Sequence, residues 1–138
     1  MSTMLETAEH FFVACETGKG WDGCQEYCHP DASFSAQSPT LAEVRTVEAY
    51  ANWMRGLLEI IPDGTYELGS FAEDAARDSV NAYAIFRGTH TGEGGPVAPT
   101  GARVESDYAY VMRFEDGRIR HMTKIWNDTY ALAQLGWA

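Results

Sequence analysis

The sequence predicts an α+β fold: three N-terminal helices packed on a strongly curved antiparallel sheet, forming a cone with an internal pocket. Two observations carry this. Helical periodicity fills the first 61 residues and returns only at the end of the chain, and from residue 65 strand candidates follow one another through short polar turns. Elements segregated in this way pack as a helical layer on one face of an antiparallel sheet. The open end of such a cone is a natural small-ligand site.

Met4, Leu5, Ala8, Phe11, Phe12 and Cys15 form one apolar helical stripe, broken by "TGKG". Trp21, Cys24 and Cys28 lie one turn apart and predict a second, short helix that stops at "HPD", because Pro30 disfavours helix at the residue before it. "ASFSAQ", 32 to 37, reads as a short strand and "SPTLAEV" as a loop. Val47, Tyr50, Met54, Leu57, Leu58 and Ile61 make a long amphipathic helix ended by "PDG". Four strand candidates follow: "TYELGSFAED", "SVNAYAIFRGTHTG", "ARVESDYAYVMRFED" and "RIRHMTKIWND". "TGEGGPVAPTG" is a Gly/Pro-rich loop, and "TYALAQL" predicts a terminal helix. There is no repeat or linker, so residues 1–138 read as one domain.

Composition narrows the function classes. The chain is 45% hydrophobic and 22% charged, which is ordinary for a globular protein. Its net charge of −10, with no Lys/Arg cluster, opposes nucleic acids and anionic membranes. No apolar run reaches membrane-span length. The acidic "MSTMLETAEHFF" does not fit a signal peptide, so the expected location is the cytoplasm. Cys15, Cys24 and Cys28 are an odd set and read as reduced, buried thiols. "CQEYCH" resembles half a zinc site, but no second half follows, so no metal is expected.

The helix order, the "GGPVAPTG" loop, the "FEDGRI" hairpin and the "LAQLG" ending resemble the SnoaL-like polyketide cyclases of the nuclear transport factor 2-like superfamily. That superfamily hosts cyclases, dehydratases, isomerases, epoxide hydrolases and non-catalytic binding modules, so fold alone does not assign the chemistry. The resemblance implies an acid/base carboxylate on the last strand, shortly after the Asp-Gly-x-Ile hairpin. Counting from Asp116-Gly117 places it at Lys124. Related epoxide hydrolases carry an Arg and an Asp on the preceding strand, where this chain has Tyr108 and Tyr110. All three positions depart from the pattern, which weighs against aldol-type cyclisation and epoxide opening.

This mapping turns Met122, Lys124 and Trp126 into the pocket. Tyr108, Tyr110, Met112 and Phe114 share one face of the neighbouring strand, and their apolar bodies need burial. A Lys among aromatic rings loses solvation, so its pKa falls. The neutral amine then acts as a base or forms a Schiff base with a carbonyl. Phenols donate to developing oxyanions. The competing reading has Lys124 reaching solvent and the tyrosines packing the core.

Other candidates carry paired readings. His90, beside the Gly/Pro loop, is a general base or a loop anchor. His121 faces outward unless a bulge turns it in and Lys124 out. Asp128 is an N-cap of the terminal helix or the missing carboxylate at the pocket mouth. Phe34, Trp53, Phe71, Met112, Met122 and Trp126 are ligand-lining or core positions, as is Gln37. Asp107 reads as solvated or paired, His29 as structural and His10 as exposed.

The first functional expectation is a cofactor-free acid/base enzyme of the cyclase/isomerase type, acting on a small aromatic or polycyclic carbonyl compound. The alternative is a non-catalytic domain that holds a small hydrophobic or carbonyl-bearing ligand, or a dimeric interaction module using His121, Ile125 and Asn127. Homodimerisation through the sheet face is expected by analogy of fold.

Overall fold

A computed structural model describes residues 3–137. Helix α1 spans Met4–Glu16 and opens with a capping box in which Thr3 and Glu6 satisfy each other's backbone N–H. Helix α2, Gly20–Cys24, is followed by a single 3₁₀ turn, Gln25–Tyr27. Strand β1 then runs from Cys28 to Ala36, and helix α3 from Val47 to Ile60, capped by Thr46. Strands β2 (Thr65–Asp74), β3 (Ser79–Thr89), β4 (Arg103–Glu115) and β5 (Arg118–Trp126) follow in sequence. Helix α4, Asp128–Leu135, closes the fold and ends at Gly136, whose φ of 75° suits the left-handed cap.

The element order matches the sequence reading, with two corrections. The strand begins at Cys28 rather than Ala32, so Cys28 lies on the sheet and not on a helix. Pro30 is tolerated because β1 is an edge strand, where a missing N–H costs little. The sheet order is β1-β5-β4-β3-β2, and β1 pairs with β5 in parallel while the other pairs are antiparallel. The sheet is therefore mixed at that edge. The parallel pairing is possible because the rest of the chain separates β1 from β5.

Side-chain alternation decides which face is internal. Val104, Ser106, Tyr108, Tyr110, Met112 and Phe114 of β4 are all buried, alternating with more exposed neighbours. Register places Ala84 opposite Tyr108 and Ala82 opposite Tyr110. Small residues on β3 thus leave room for the large phenols of β4. Across the other ladder Tyr108 faces Trp126, Tyr110 faces Lys124, and Met112 faces Met122. The β4–β5 turn is tight, with positive φ at Asp116 (52°) and Gly117 (79°).

A bulge does exist in β5, but it lies before His121 and so does not turn His121 in or Lys124 out. The ladder shifts between Arg113 and Phe114, which pair with His121 and Ile119 and leave Arg120 as the extra residue. Ile119 therefore turns inward along with Met122 and Lys124, while His121 stays on the outer face. The buried stripes of α1 (Ala8, Phe11, Phe12, Cys15) and α3 (Val47, Tyr50, Ala51, Met54) cover this inner face. All three cysteines are free and buried.

Candidate functional site

Between α3, α4 and the inner face of β3–β5 lies a narrow cavity of about 40 Å³. Its wall is almost wholly apolar, with Trp53, Leu57, Phe86, Leu135 and Trp137 among the lining residues. Polar groups also line it: the hydroxyl residues Thr40 and Ser106, and the titratable Glu16, Tyr108 and Lys124.

Lys124 reaches this position because β5 register sets it opposite Tyr110, pointing inward. It is 6% exposed. Its Nζ donates to the Tyr50 hydroxyl at 2.8 Å. Four ring centroids surround it: Trp126 at 4.5 Å, Tyr50 at 5.0 Å, Tyr108 at 5.2 Å and Trp53 at 5.3 Å. Aromatic faces attract a cation, but they replace only part of its hydration. Burial pushes the amine down to about 8, against the opposing pull of Glu16 and Cys15.

Glu16 is the last residue of α1 and only 3% exposed. Tyr108 donates to its Oε1 and Tyr110 to its Oε2. Burial raises its carboxyl above the ordinary value, while Lys124 and the two phenols pull it back down. The negative end of the α1 dipole adds to the upward push. Burial also raises Tyr50, Tyr108 and Tyr110, each helped by the Glu16 charge, so all three remain phenols.

The hydrogen bonds have one consistent direction. Each phenol owns one proton. Tyr110 gives its proton to Glu16, so it accepts from Tyr50, whose hydroxyl lies 2.8 Å away. Tyr50 in turn accepts from Lys124. A continuous chain, Lys124 to Tyr50 to Tyr110 to Glu16, joins a buried amine to a buried carboxylate. Tyr50 and Tyr110 lie behind the cavity wall, while both ends of the chain face the cavity.

The structure brings Lys124, Tyr108 and Tyr110 together with Trp53 and Trp126. The remaining candidates lie elsewhere. Phe34 stacks behind Tyr50 at 4.7 Å, and Phe71 is half-buried with its edge on Phe12. Met112 and Met122 are fully buried core. His90 anchors the Gly/Pro loop. Its Nδ1 accepts from the Trp137 indole at 3.0 Å and from the Thr100 backbone at 3.3 Å, and it does not line the cavity.

His121 sits on the outer face, bonded to Ser33 (2.6 Å), Ser35 (3.0 Å) and Thr123 (3.2 Å). Asp128 is not the cap and does not line this cavity, but it borders an adjoining surface pocket together with Lys124 and Trp126. Asn127 caps α4, and Asp128 accepts from the Thr40 backbone (2.8 Å) and hydroxyl (2.6 Å), fixing the 39–41 turn. Gln37 is exposed, Asp107 accepts from Tyr83, His29 bonds the Glu115 carbonyl, and His10 is exposed.

Sequence reading missed Glu16 and the role of Tyr50. A signal existed: Ala8, Phe12 and Glu16 fall at i, i+4, i+8, so Glu16 extends the apolar stripe and had to be buried. The buried carboxylate that lines the cavity comes from the first helix, not from the last strand. Among the described residues no cluster of His, Cys, Asp and Glu could hold a metal, and no helix is long and apolar enough to cross a membrane.

Residues 6–135 match the SnoaL-like polyketide cyclase family, and the chain belongs to that family. Among solved structures it is similar to IdmH of Streptomyces antibioticus, a proposed polyketide cyclase. Identity is 27% and TM-score 0.78, over 98% of this chain and 99% of that one. The fold also matches a proposed SnoaL-like polyketide cyclase from Jannaschia sp. CCS1, at 18% identity and TM-score 0.79, covering 98% and 92%. AclR of Streptomyces galilaeus, a proposed hydroxylase, matches at 23% and 0.76, covering 98% and 85%. No curated protein matches the sequence at a significant level.

Proposed function

We propose that this protein is a cofactor-independent acid/base enzyme that moves protons beside the carbonyl of a small aromatic or polycyclic compound, leading to isomerisation or ring closure. The observation that carries this reading is the buried Lys124–Tyr50–Tyr110–Glu16 chain with both ends on one apolar cavity. The likeness to IdmH, itself a proposed polyketide cyclase, supports a polyketide-like carbonyl substrate.

In this reading Glu16 removes the α-proton, and its raised pKa makes it a stronger base than a solvated carboxylate. The Lys124 ammonium stabilises the enolate oxygen in a medium that screens charge poorly. Tyr108 holds Glu16 in place. If the enolate carbon attacks a second carbonyl, the new alkoxide takes a proton from Lys124. The proton on Glu16 then passes through Tyr110 and Tyr50 to the amine and restores the starting state. The aromatic walls bind flat rings and exclude water. The protein is taken to act in the cytoplasm as a homodimer. Tyr83, Ala109 and Ile125 form one row across the outer sheet face, with Ile125 61% exposed.

The test is deuterium exchange at the α-carbon of 2-tetralone in D₂O, followed by NMR. The wild type should exceed the buffer rate, and Glu16→Gln and Lys124→Met should each lose about 100-fold or more of that excess. A wild type at the buffer rate, or variants as fast as wild type, would contradict the reading.

A further inference from the structure

We propose that Lys124 is a covalent catalyst: its amine forms an imine with an aldehyde or ketone substrate bound in the apolar cavity, and Glu16 carries the protons of that reaction. This rests on the proposed function and deepens it, by making the activation of the carbonyl covalent and restricting substrates to aldehydes and ketones.

Four features converge on the amine. Three of the four rings around Nζ, those of Trp53, Tyr108 and Trp126, are walls of the cavity, so the nitrogen sits at the cavity surface. Among the described residues its one hydrogen-bond partner is the Tyr50 hydroxyl, and no carboxylate forms an ion pair with it. A neutral amine held this way keeps a lone pair free for attack. Nζ lowered to about 8 from an ordinary 10.5 gives about 300-fold more free amine at neutral pH. Finally, the dry wall favours an imine, whose formation expels water.

The atoms balance as follows. The Lys124 ammonium first passes one proton through the Tyr50–Tyr110 chain to the Glu16 carboxylate. The Nζ lone pair then attacks the carbonyl carbon, a C–N bond forms as the C=O π bond breaks, and the carbonyl oxygen takes that proton from Glu16. The nitrogen loses a proton, which the Tyr50–Tyr110 chain returns to Glu16. Glu16 then protonates the hydroxyl of the carbinolamine, which leaves as water, giving a C=N bond. The resulting iminium acidifies the α-carbon, and the Glu16 carboxylate removes that proton to form an enamine. Enamine attack on a second carbonyl forms the new C–C bond and closes a ring, and the resulting alkoxide takes the proton that Glu16 holds. Addition of water to the iminium releases product and regenerates the amine. No oxidant, reductant or metal is needed.

The sequence makes the test clean, because the chain has only two lysines, Lys19 and Lys124. Lys19 is exposed and serves as an internal reference. The probes are 2,4-pentanedione alone and propanal with sodium borohydride at pH 7, followed by peptide mapping. The expected result is labelling of Lys124 at least about 30-fold faster than Lys19. Glu16→Gln should slow Lys124 labelling at least about tenfold and leave Lys19 unchanged. Lys124→Arg, which keeps a cation but forms no imine, should show label at Lys19 and the N-terminus alone.

Lys124 labelled no faster than Lys19 in folded wild-type protein overturns the proposal, whatever the variants do. Exchange of 2-tetralone protons without Lys124 labelling overturns the imine and leaves the proton-transfer reading standing. Labelling without exchange does the reverse.

Discussion

Replacing both buried charges, Glu16→Gln with Lys124→Met, should leave the protein at least as stable as wild type while abolishing its activity. In the folded protein the amine sits at about 8, against an ordinary 10.5. That difference corresponds to about 3 kcal/mol of disfavoured ammonium. The sign follows from linkage: the unfolded chain binds the proton more tightly, so the penalty is fully present below about pH 8 and fades as pH rises through 10.5. At pH 7 the whole penalty applies. Glu16 adds to it in the same direction whenever it is ionised, since burial raises its pKa.

Against this, the double variant loses the Lys124–Tyr50 hydrogen bond and one of the two phenol bonds to Glu16, each about 1.5 to 3 kcal/mol because one partner is charged. With the burial cost of Glu16 also removed, the double variant should at least match wild type and exceed it by up to about 3 kcal/mol, a rise in Tm of up to about 10 °C. Urea titration at pH 7 would read it, with the double variant more stable than either single variant, because each single leaves one buried charge alone. A double variant less stable than wild type by more than about 1 kcal/mol would refute the reasoning.

Three further outcomes are expected. Tyr50→Phe removes the acceptor that stabilises the ammonium, so the pH midpoint for Lys124 labelling should fall below about 8; an unchanged midpoint would contradict the bond. Asp128→Ala leaves the Thr40 backbone N–H without its acceptor and should cost about 1 to 3 kcal/mol in urea titration, with α4 still formed because Asn127 caps it. His121→Ala, on the outer face, should change 2-tetralone exchange less than about twofold; a larger loss would place catalysis on the wrong side of the sheet.

Much of this arrangement was legible in the residues. The switch from helical to alternating periodicity near residue 61 reports the change from helices to sheet, because burial of one face imposes both periods. The shared face of Tyr108, Tyr110 and Met112 followed from the same alternation, and the hairpin at Asp116-Gly117 from its turn chemistry. The start of β1 was obscured because Trp21, Cys24 and Cys28 keep helical spacing by coincidence, and Pro30 reads as the stop of that helix rather than as part of a strand.

The parallel β1–β5 pairing is a long-range fact that no local pattern encodes. Glu16 was hidden by its type. A charged residue at a helix end reads as solvated, and only the stripe through Ala8 and Phe12 says otherwise. His90, His121 and Asp128 drew attention as titratable groups, yet each is held by neighbours outside the cavity: Trp137 and Thr100, Ser33 and Ser35, and Thr40. Side-chain type alone cannot distinguish a group that holds the fold from one that faces a ligand.

The central claim is that one lysine is a buried, weakly basic amine wired to a buried carboxylate. The most direct measurement is an NMR titration of the Lys124 side chain, assigned with a Lys19→Arg variant. A midpoint near 8 is expected, moving lower in Glu16→Gln because the carboxylate that supports the ammonium is gone. A midpoint at the ordinary 10.5, unmoved by Glu16→Gln, would show a solvated lysine and contradict the account.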